Sequence, residues 1–300
     1  MPGSAGLKGT VCSRPECRAL ALAALRRQDS MKLPILMTAS VSTRGMKGAC
    51  FSPEERERMY IDTLCFYRDE ILRKCKDRRI VFVENSGWDL TNIRACVEGF
   101  GDQVEFISLP PAGFDISRGK GYNEILMINA TLKVSRFIKE AGAFLKVTGR
   151  YPVYNIGYFL EAAERHLGGG GVFYGDMKDH NIYDFLFPNN TAKWNGHAAY
   201  TVLFAATVDF YIRHLASTYE QCCDSCGDYI ECVWHKSLIG FRSDKTSGVS
   251  LRFGREPICG GMQGSEAKTI VFSKKNDSLK CAAVRLIGNV VRMLSPWLWL

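Results

Sequence analysis

Residues 80–87 read Ile80-Val81-Phe82-Val83-Glu84-Asn85-Ser86-Gly87. Four apolar residues, three of them β-branched, run into a carboxylate, an amide, a hydroxyl and a glycine. That is the pattern of a strand buried on both faces that ends in a polar turn. Upstream, Leu33–Val41 (LPILMTASV) is a second such run, ending in Thr38-Ala39-Ser40. Downstream, Val104–Ser108 is a third strand, Ala143–Thr148 (AFLKVT) a fourth, and Gly171–Tyr174 a fifth. Helical patterns fill the gaps. Ser52 opens SPEE, with Pro53 at the first helical position and Glu54 and Glu55 at the positive end of the dipole. Tyr60, Leu64, Tyr67 and Ile71 follow at helical spacing. Asp89–Gly99, Gly119–Ala141 and Ile156–Leu167 read as further helices. Strands separated by helices of this length predict an α/β fold: a Rossmann-like, mainly parallel sheet flanked by helices. Ligands of such sheets bind beyond the carboxyl ends of the strands.

The second half is more helical. Tyr200–Tyr219 and Asp228–Ile239 read as helices, and Val249–Phe253 and Thr269–Phe272 as short strands. Leu279–Leu294 is a basic amphipathic helix with Lys280, Arg285 and Arg292 beside Val284, Ile287 and Val291, and a Trp-Leu-Trp-Leu end follows. The expected organisation is an extension over residues 1–30, one domain over 31–275, and a helical C-terminal elaboration over 276–300. The chain has 300 residues, 46% of them hydrophobic and 23% charged, which excludes wholesale disorder. The charge of +8 suits an anionic partner but does not choose one. No aromatic-basic stripe points to nucleic acid. No apolar run reaches the ~18 residues of a membrane span. Ala19–Leu25 lacks the flanks of a secretory signal, so a cytoplasmic protein is expected. The twelve cysteines then read as reduced thiols. The exception is Cys222-Cys223-Asp224-Ser225-Cys226 with Cys232, where a zinc site and plain thiols both stay open.

Four segments carry a resemblance. They are Leu36–Val41 with Arg56, Tyr60 and Phe66-Tyr67; Ile80–Gly87; Gly119-Lys120-Gly121-Tyr122-Asn123-Glu124; and Phe144–Tyr151 with Asn155. Weaker similarity continues through Asp209-Phe210-Tyr211, Glu231 and Gly261–Gly264. In this order and spacing they resemble a group of bacterial glycosyltransferase-like proteins of surface-polysaccharide synthesis, with a GT-A-type nucleotide-sugar fold. The resemblance covers roughly residues 33–265. It implies a nucleotide-sugar donor and a saccharide or lipid-linked acceptor. The basic C-terminal helix with its apolar end suits peripheral contact with the inner face of an anionic membrane, where a lipid-linked acceptor would lie. A packed helix with a loose tail is the other reading of that helix.

Read as chemistry, Thr38, Ala39 and Ser40 offer hydroxyls and backbone to a base or ribose, or form a plain turn. Glu84 and Asn85 do the same, or close an Asx-type turn. Gly119–Glu124, with Lys120, Gly121 and Glu124, resembles a phosphate-cradling turn ahead of a helix, although such turns are often structural. Thr148, Gly149, Arg150 and Tyr151 stand where enzymes of the GT-A type carry an Asp-x-Asp for a divalent cation. That pair is absent, so no metal ligand is assigned, and dependence on Mg²⁺ or Mn²⁺ stays open. Arg150 and Lys120 are the candidates to neutralise a diphosphate, unless Arg150 is paired with a carboxylate. Asp176, Asp179, Asp209 and Glu231 are candidate bases. His235 lies one turn after Glu231, as its orienting partner or as a surface neighbour. Asp176 and Asp179 come closest to a metal pair, at the wrong spacing. The function expected is glycosyl transfer. A nucleotidyltransferase, or an inactive nucleotide-sugar binding module, is the alternative.

Overall fold

A computed structural model describes residues 32–46, 49–179, 196–262 and 279–294. Seven strands form one sheet in the order β3-β2-β1-β4-β8-β5-β9. They are β1 (Ile35–Ala39), β2 (Ile80–Glu84), β3 (Val104–Ser108), β4 (Ala143–Thr148), β5 (Phe173–Tyr174), β8 (Leu203–Thr207) and β9 (Val249–Ser250). β1 pairs in parallel with both β2 and β4. β8 alone runs against its neighbours β4 and β5. A separate hairpin joins β6 (Met177–Asp179) to β7 (His197–Ala199). The strands β1 and β2 are buried along their whole length, as parallel strands covered on both faces must be.

One face is covered by α1 (Pro53–Tyr67), α2 (Thr91–Ala95) and α5 (Ile156–Gly168), whose Tyr60, Leu64, Tyr67, Ile93, Phe159 and Leu160 pack on the sheet. The other is covered by α3 (Lys120–Val134), α4 (Arg136–Ala141), α6 (Val208–His214) and α7 (Ile230–Leu238), through Ile125, Ile128, Phe137, Tyr211 and Trp234. Each such side chain contributes about 1.5–3 kcal/mol of burial. The Ser52 signal holds: Ser52 Oγ accepts from Glu55 N at 3.2 Å, and Glu55 Oε2 accepts from Ser52 N at 2.8 Å. The C-terminal helix α8 (Leu279–Leu294) has the bounds its sequence predicts.

Four expectations differ. Residues 200–219 are not one helix: Leu203–Thr207 is β8, slotted between β4 and β5, and α6 follows. A short apolar run does not reveal its own period, and pairing decided it. The helix expected over residues 119–141 breaks at Ser135, whose extended backbone (ψ 122°) ends α3 and whose Oγ caps α4. The helix expected over 89–99 shrinks to α2, and the strand expected over 249–253 to β9. The strand expected at 269–272, the extension over 1–30 and the Trp-Leu-Trp-Leu end lie outside the described residues, as do the side chains of Lys280, Val284, Arg285 and Val291.

Candidate functional site

The chain leaves β1 towards β2 and β3 on one side and adds β4 on the other. The switch point is therefore the crevice between the ends of β1 and β4, where such sheets bind ligands. The register sets Thr38 beside Thr148 there. Gly149 lets the two ends close up: a Cβ on it would lie 2.7 Å from the Thr38 carbonyl oxygen and 3.2 Å from the Tyr60 ring. Lys146, buried, holds the crevice floor. Its ammonium pairs with Glu124 at 2.6 Å and donates to the Thr201 carbonyl at 2.7 Å and to Thr148 Oγ1 at 3.0 Å. Thr38 Oγ1 donates to the same Glu124 oxygen at 2.9 Å. With these acceptors the buried charge is compensated.

Above that floor stand further cations. Arg150 is 9% exposed, donates to the Met262 carbonyl at 3.3 Å and lies 5.3 Å from the Tyr151 ring centroid. Among the described residues no carboxylate pairs with it. Burial holds Lys120 below the ordinary lysine range, and repulsion from Arg150 and then Arg56 adds to this, against attraction from Asp224. Arg56 is itself clamped to the Ser40 and Val41 carbonyls at 2.8 and 3.1 Å.

The turn at Gly119–Glu124 is not an open phosphate cradle. Asp224 arrives from 104 residues away and its Oδ2 accepts from the Lys120 N–H at 2.8 Å. It takes the place an anion would occupy at the start of α3. The glycines serve packing instead. Gly119 has φ 93°, and a Cβ there would meet the Asp224 side chain at 2.2 Å. A Cβ on Gly121 would meet Ile230 at 2.7 Å.

Glu84 is likewise spent on the fold. It is fully buried, and it accepts from the backbone N–H groups of Val41 (3.1 Å), Ser86 (2.8 Å) and Trp88 (3.3 Å). Ala39 is enclosed within β1. Ser40 Oγ donates to Asn85 Oδ1 at 2.5 Å. Both line a shallow depression with Ser42, Arg44, Phe114 and Asn123. Asn123 Nδ2 donates to the Asp115 and Gly119 carbonyls, both at 2.7 Å, which fixes the amide orientation. Its Oδ1 is buried without a partner, an acceptor that a ligand N–H or O–H would satisfy.

The candidate bases fall in different places. Asp209 is exposed and pairs with Arg213 one turn on. Asp176 is buried under α8 and pairs with Arg292 at 2.9 Å. Neither reaches the crevice. Glu231, on α7, accepts from Thr201 Oγ1 at 3.3 Å, and the Thr201 carbonyl accepts from Lys146. Burial first, and then the nearby Glu124 and Asp224 charges, push its carboxyl up. Among the described residues no cation pairs with it. His235, one turn further, turns away to Asp179, with Nε2 3.2 Å from Oδ1. His197 Nδ1 lies 2.8 Å from that oxygen, and Arg242 pairs with Oδ2. The residues at the end of β4 do not fit a divalent cation on a diphosphate, because Lys146 and Arg150 stand where carboxylates would be needed.

The cysteines form no zinc centre among the described residues. Cys222 is buried and its thiol is pushed up to about 12, chiefly by burial. Cys223 and Cys226 face each other at the surface, Sγ to Sγ 2.7 Å, and no disulfide forms among the described cysteine side chains. Among the described residues no helix is long and apolar enough to cross a membrane.

No protein-family model matches the chain, and no curated protein does. Among solved structures, the chain is similar to a galactosyltransferase, LgtC, in complex with donor and acceptor sugar analogs, at 15% identity over 73% of each chain with a TM-score of 0.42. It is similar to core-mannan synthase A from Aspergillus fumigatus in a Mn/GDP form, at 11% identity over 70% of each chain with a TM-score of 0.36. It is also similar to the mannosyltransferase Ktr4p from S. cerevisiae in complex with GDP, at 9% identity over 77% of each chain with a TM-score of 0.33.

Proposed function

We propose that the chain is a glycosyltransferase that takes its nucleotide-activated sugar into the β1–β4 crevice. One observation carries this reading: Arg150, nearly buried and facing no described carboxylate, stands at the switch point beside Lys120, whose charge it repels. A nearly buried guanidinium with an exposed ammonium close by is a site for a polyanion. A diphosphate satisfies both, Arg150 by a bidentate fork and Lys120 as a point charge. The depression beside Ser40 and Asn85 takes the nucleoside, with Asn123 Oδ1 accepting from it. The acceptor hydroxyl oxygen bonds to the anomeric carbon while the bond from that carbon to the diphosphate oxygen breaks. The diphosphate leaves with the electron pair, and Arg150 and Lys120 stabilise the charge that grows on it. Glu231 takes the hydroxyl proton, since a half-buried carboxylate with a raised pKa is a better base. No metal is needed at the diphosphate.

The acceptor class and setting follow the motif resemblance: a saccharide or lipid-linked acceptor of surface-polysaccharide synthesis, at the cytoplasmic face of a membrane. Residues 31–275 are the transferring domain. In α8, Leu286, Ile287, Met293 and Leu294 are more than half exposed, an apolar stripe suited to lying on a lipid surface. The test is release of sugar from UDP-, GDP- and CMP-sugars in EDTA. Turnover that Glu231→Gln abolishes supports transfer. Tight nucleotide-sugar binding without turnover, with or without acceptor, means a binding module. Pyrophosphate release from a nucleoside triphosphate means a nucleotidyltransferase.

A further inference from the structure

We propose that Asp179, His197 and His235 form a binding site for one divalent transition-metal cation, separate from the diphosphate site, which pins the β6–β7 hairpin to α7. The three ligand atoms come from three elements, and all lie within 4.8 Å of one another. Asp179 Oδ1 is 2.8 Å from His197 Nδ1 and 3.2 Å from His235 Nε2. Ligands about 2.1 Å from a metal, at tetrahedral or octahedral angles, sit roughly 3.0–3.4 Å apart. The two separations from Asp179 are therefore close to those of a coordination sphere, and the two imidazole nitrogens lie within 4.8 Å of each other. Arg242 pairs with the other oxygen, Oδ2. That leaves Oδ1 turned towards the two imidazoles, the orienting role that second partners play around metal ligands. Two imidazole nitrogens and one carboxylate oxygen select Zn²⁺ or Co²⁺ over Mg²⁺, Ca²⁺ and Mn²⁺, which suit oxygen ligands. Asp179 and His235 are 8% and 12% exposed, but His197 is 27% exposed, so the cluster has a wet side through which an ion enters and where water completes its shell. The site lies one helical turn from Glu231 on α7, so a bound cation would hold the proposed base in place without touching the reacting atoms.

The experiment uses the full chain, stripped with a chelator and free of nucleotide, so its outcome does not depend on the glycosyl-transfer reading. Zn²⁺ and Co²⁺ are titrated by calorimetry, with the Co²⁺ absorption spectrum as a second readout. The expected result is one equivalent bound, a raised melting temperature, and no comparable effect of Mg²⁺. His197→Gln, at the exposed rim, should abolish saturable binding while the far-UV spectrum stays that of the wild type. Arg242→Met should weaken binding by about 10- to 100-fold. Cys223→Ser/Cys226→Ser should bind as the wild type does. The proposal is overturned if the wild type binds no stoichiometric metal, leaving Asp179 as a hydrogen-bond acceptor for two imidazoles. It is equally overturned if binding survives His197→Gln and is lost in the double cysteine variant, which would place the ion on the thiols.

Discussion

Replacing Arg292 by Met tests how α8 is held. Arg292 reaches Asp176 with both terminal nitrogens, at 2.9 and 3.0 Å, and donates to the Phe253 carbonyl at 3.1 Å. The two side chains are 12% and 10% exposed. Removing one partner of a buried pair costs about 3–5 kcal/mol, because the other charge stays behind unpaired. For a chain of this size that is roughly 2 °C per kcal/mol, hence a fall of about 6–10 °C in melting temperature. The pH dependence has a definite sign. Burial pushes the Asp176 carboxyl up, and Arg292 pulls it only part of the way back. Without Arg292 it rises further. An acid whose folded value lies above its unfolded one stabilises the fold below the unfolded value, and that stability is lost as pH rises through the folded value. The deficit of Arg292→Met relative to wild type is therefore largest near neutral pH and shrinks through the carboxylate range. Urea denaturation followed by far-UV circular dichroism, at about pH 7.5 and about pH 4.5, measures it. A deficit below about 1 kcal/mol at neutral pH, or one that does not change with pH, would refute the buried-pair argument. The Asp176→Asn/Arg292→Met double variant should lose less than the two single deficits add up to.

Four further outcomes follow from the crevice. Gly149→Ala should destabilise by about 1–3 kcal/mol in chemical denaturation, since its Cβ would press on the Thr38 backbone. Lys120→Met should fold as the wild type does, since the side chain is exposed, yet it should lose stabilisation by nucleotide. Nucleotide binding by the wild type should also weaken at a lower pH than deprotonation of an ordinary lysine would allow. Glu231→Gln should lower kcat by about 100- to 10,000-fold and remove the acid limb of the pH–rate profile, which falls as the raised Glu231 carboxyl takes up its proton.

What was legible in the sequence is what local pattern encodes. The first four strands, their polar ends and the SPEE helix start are written in a few consecutive residues each. Arg150 and Lys120 stood out because full charges beside glycines, at a strand end and at a helix start, are conspicuous. What failed to show depends on partners far along the chain. Asp224 lies 104 residues beyond Lys120 and turns an apparent phosphate loop into a capped helix. Arg292 lies 116 residues beyond Asp176 and makes a candidate base into an anchor. His197 and His235 are 18 and 56 residues from Asp179, with no short spacing to betray a shared site. Asn123 was in view within its motif, but its orphaned oxygen is a property of packing alone.

The central claim is that a nucleotide diphosphate binds at Arg150 without a metal. Thermal shift of the full chain against UDP, GDP, CDP and ADP in EDTA, for wild type and Arg150→Met, tests it most directly. Because a ligand of the folded state stabilises it by mass action, a concentration 100 times Kd is worth about 2.7 kcal/mol. The account predicts that one nucleotide raises the melting temperature in EDTA and that Arg150→Met abolishes the shift while folding normally. Stabilisation that appears only with added Mg²⁺ or Mn²⁺ and persists in Arg150→Met, or no stabilisation by any nucleotide, would contradict it.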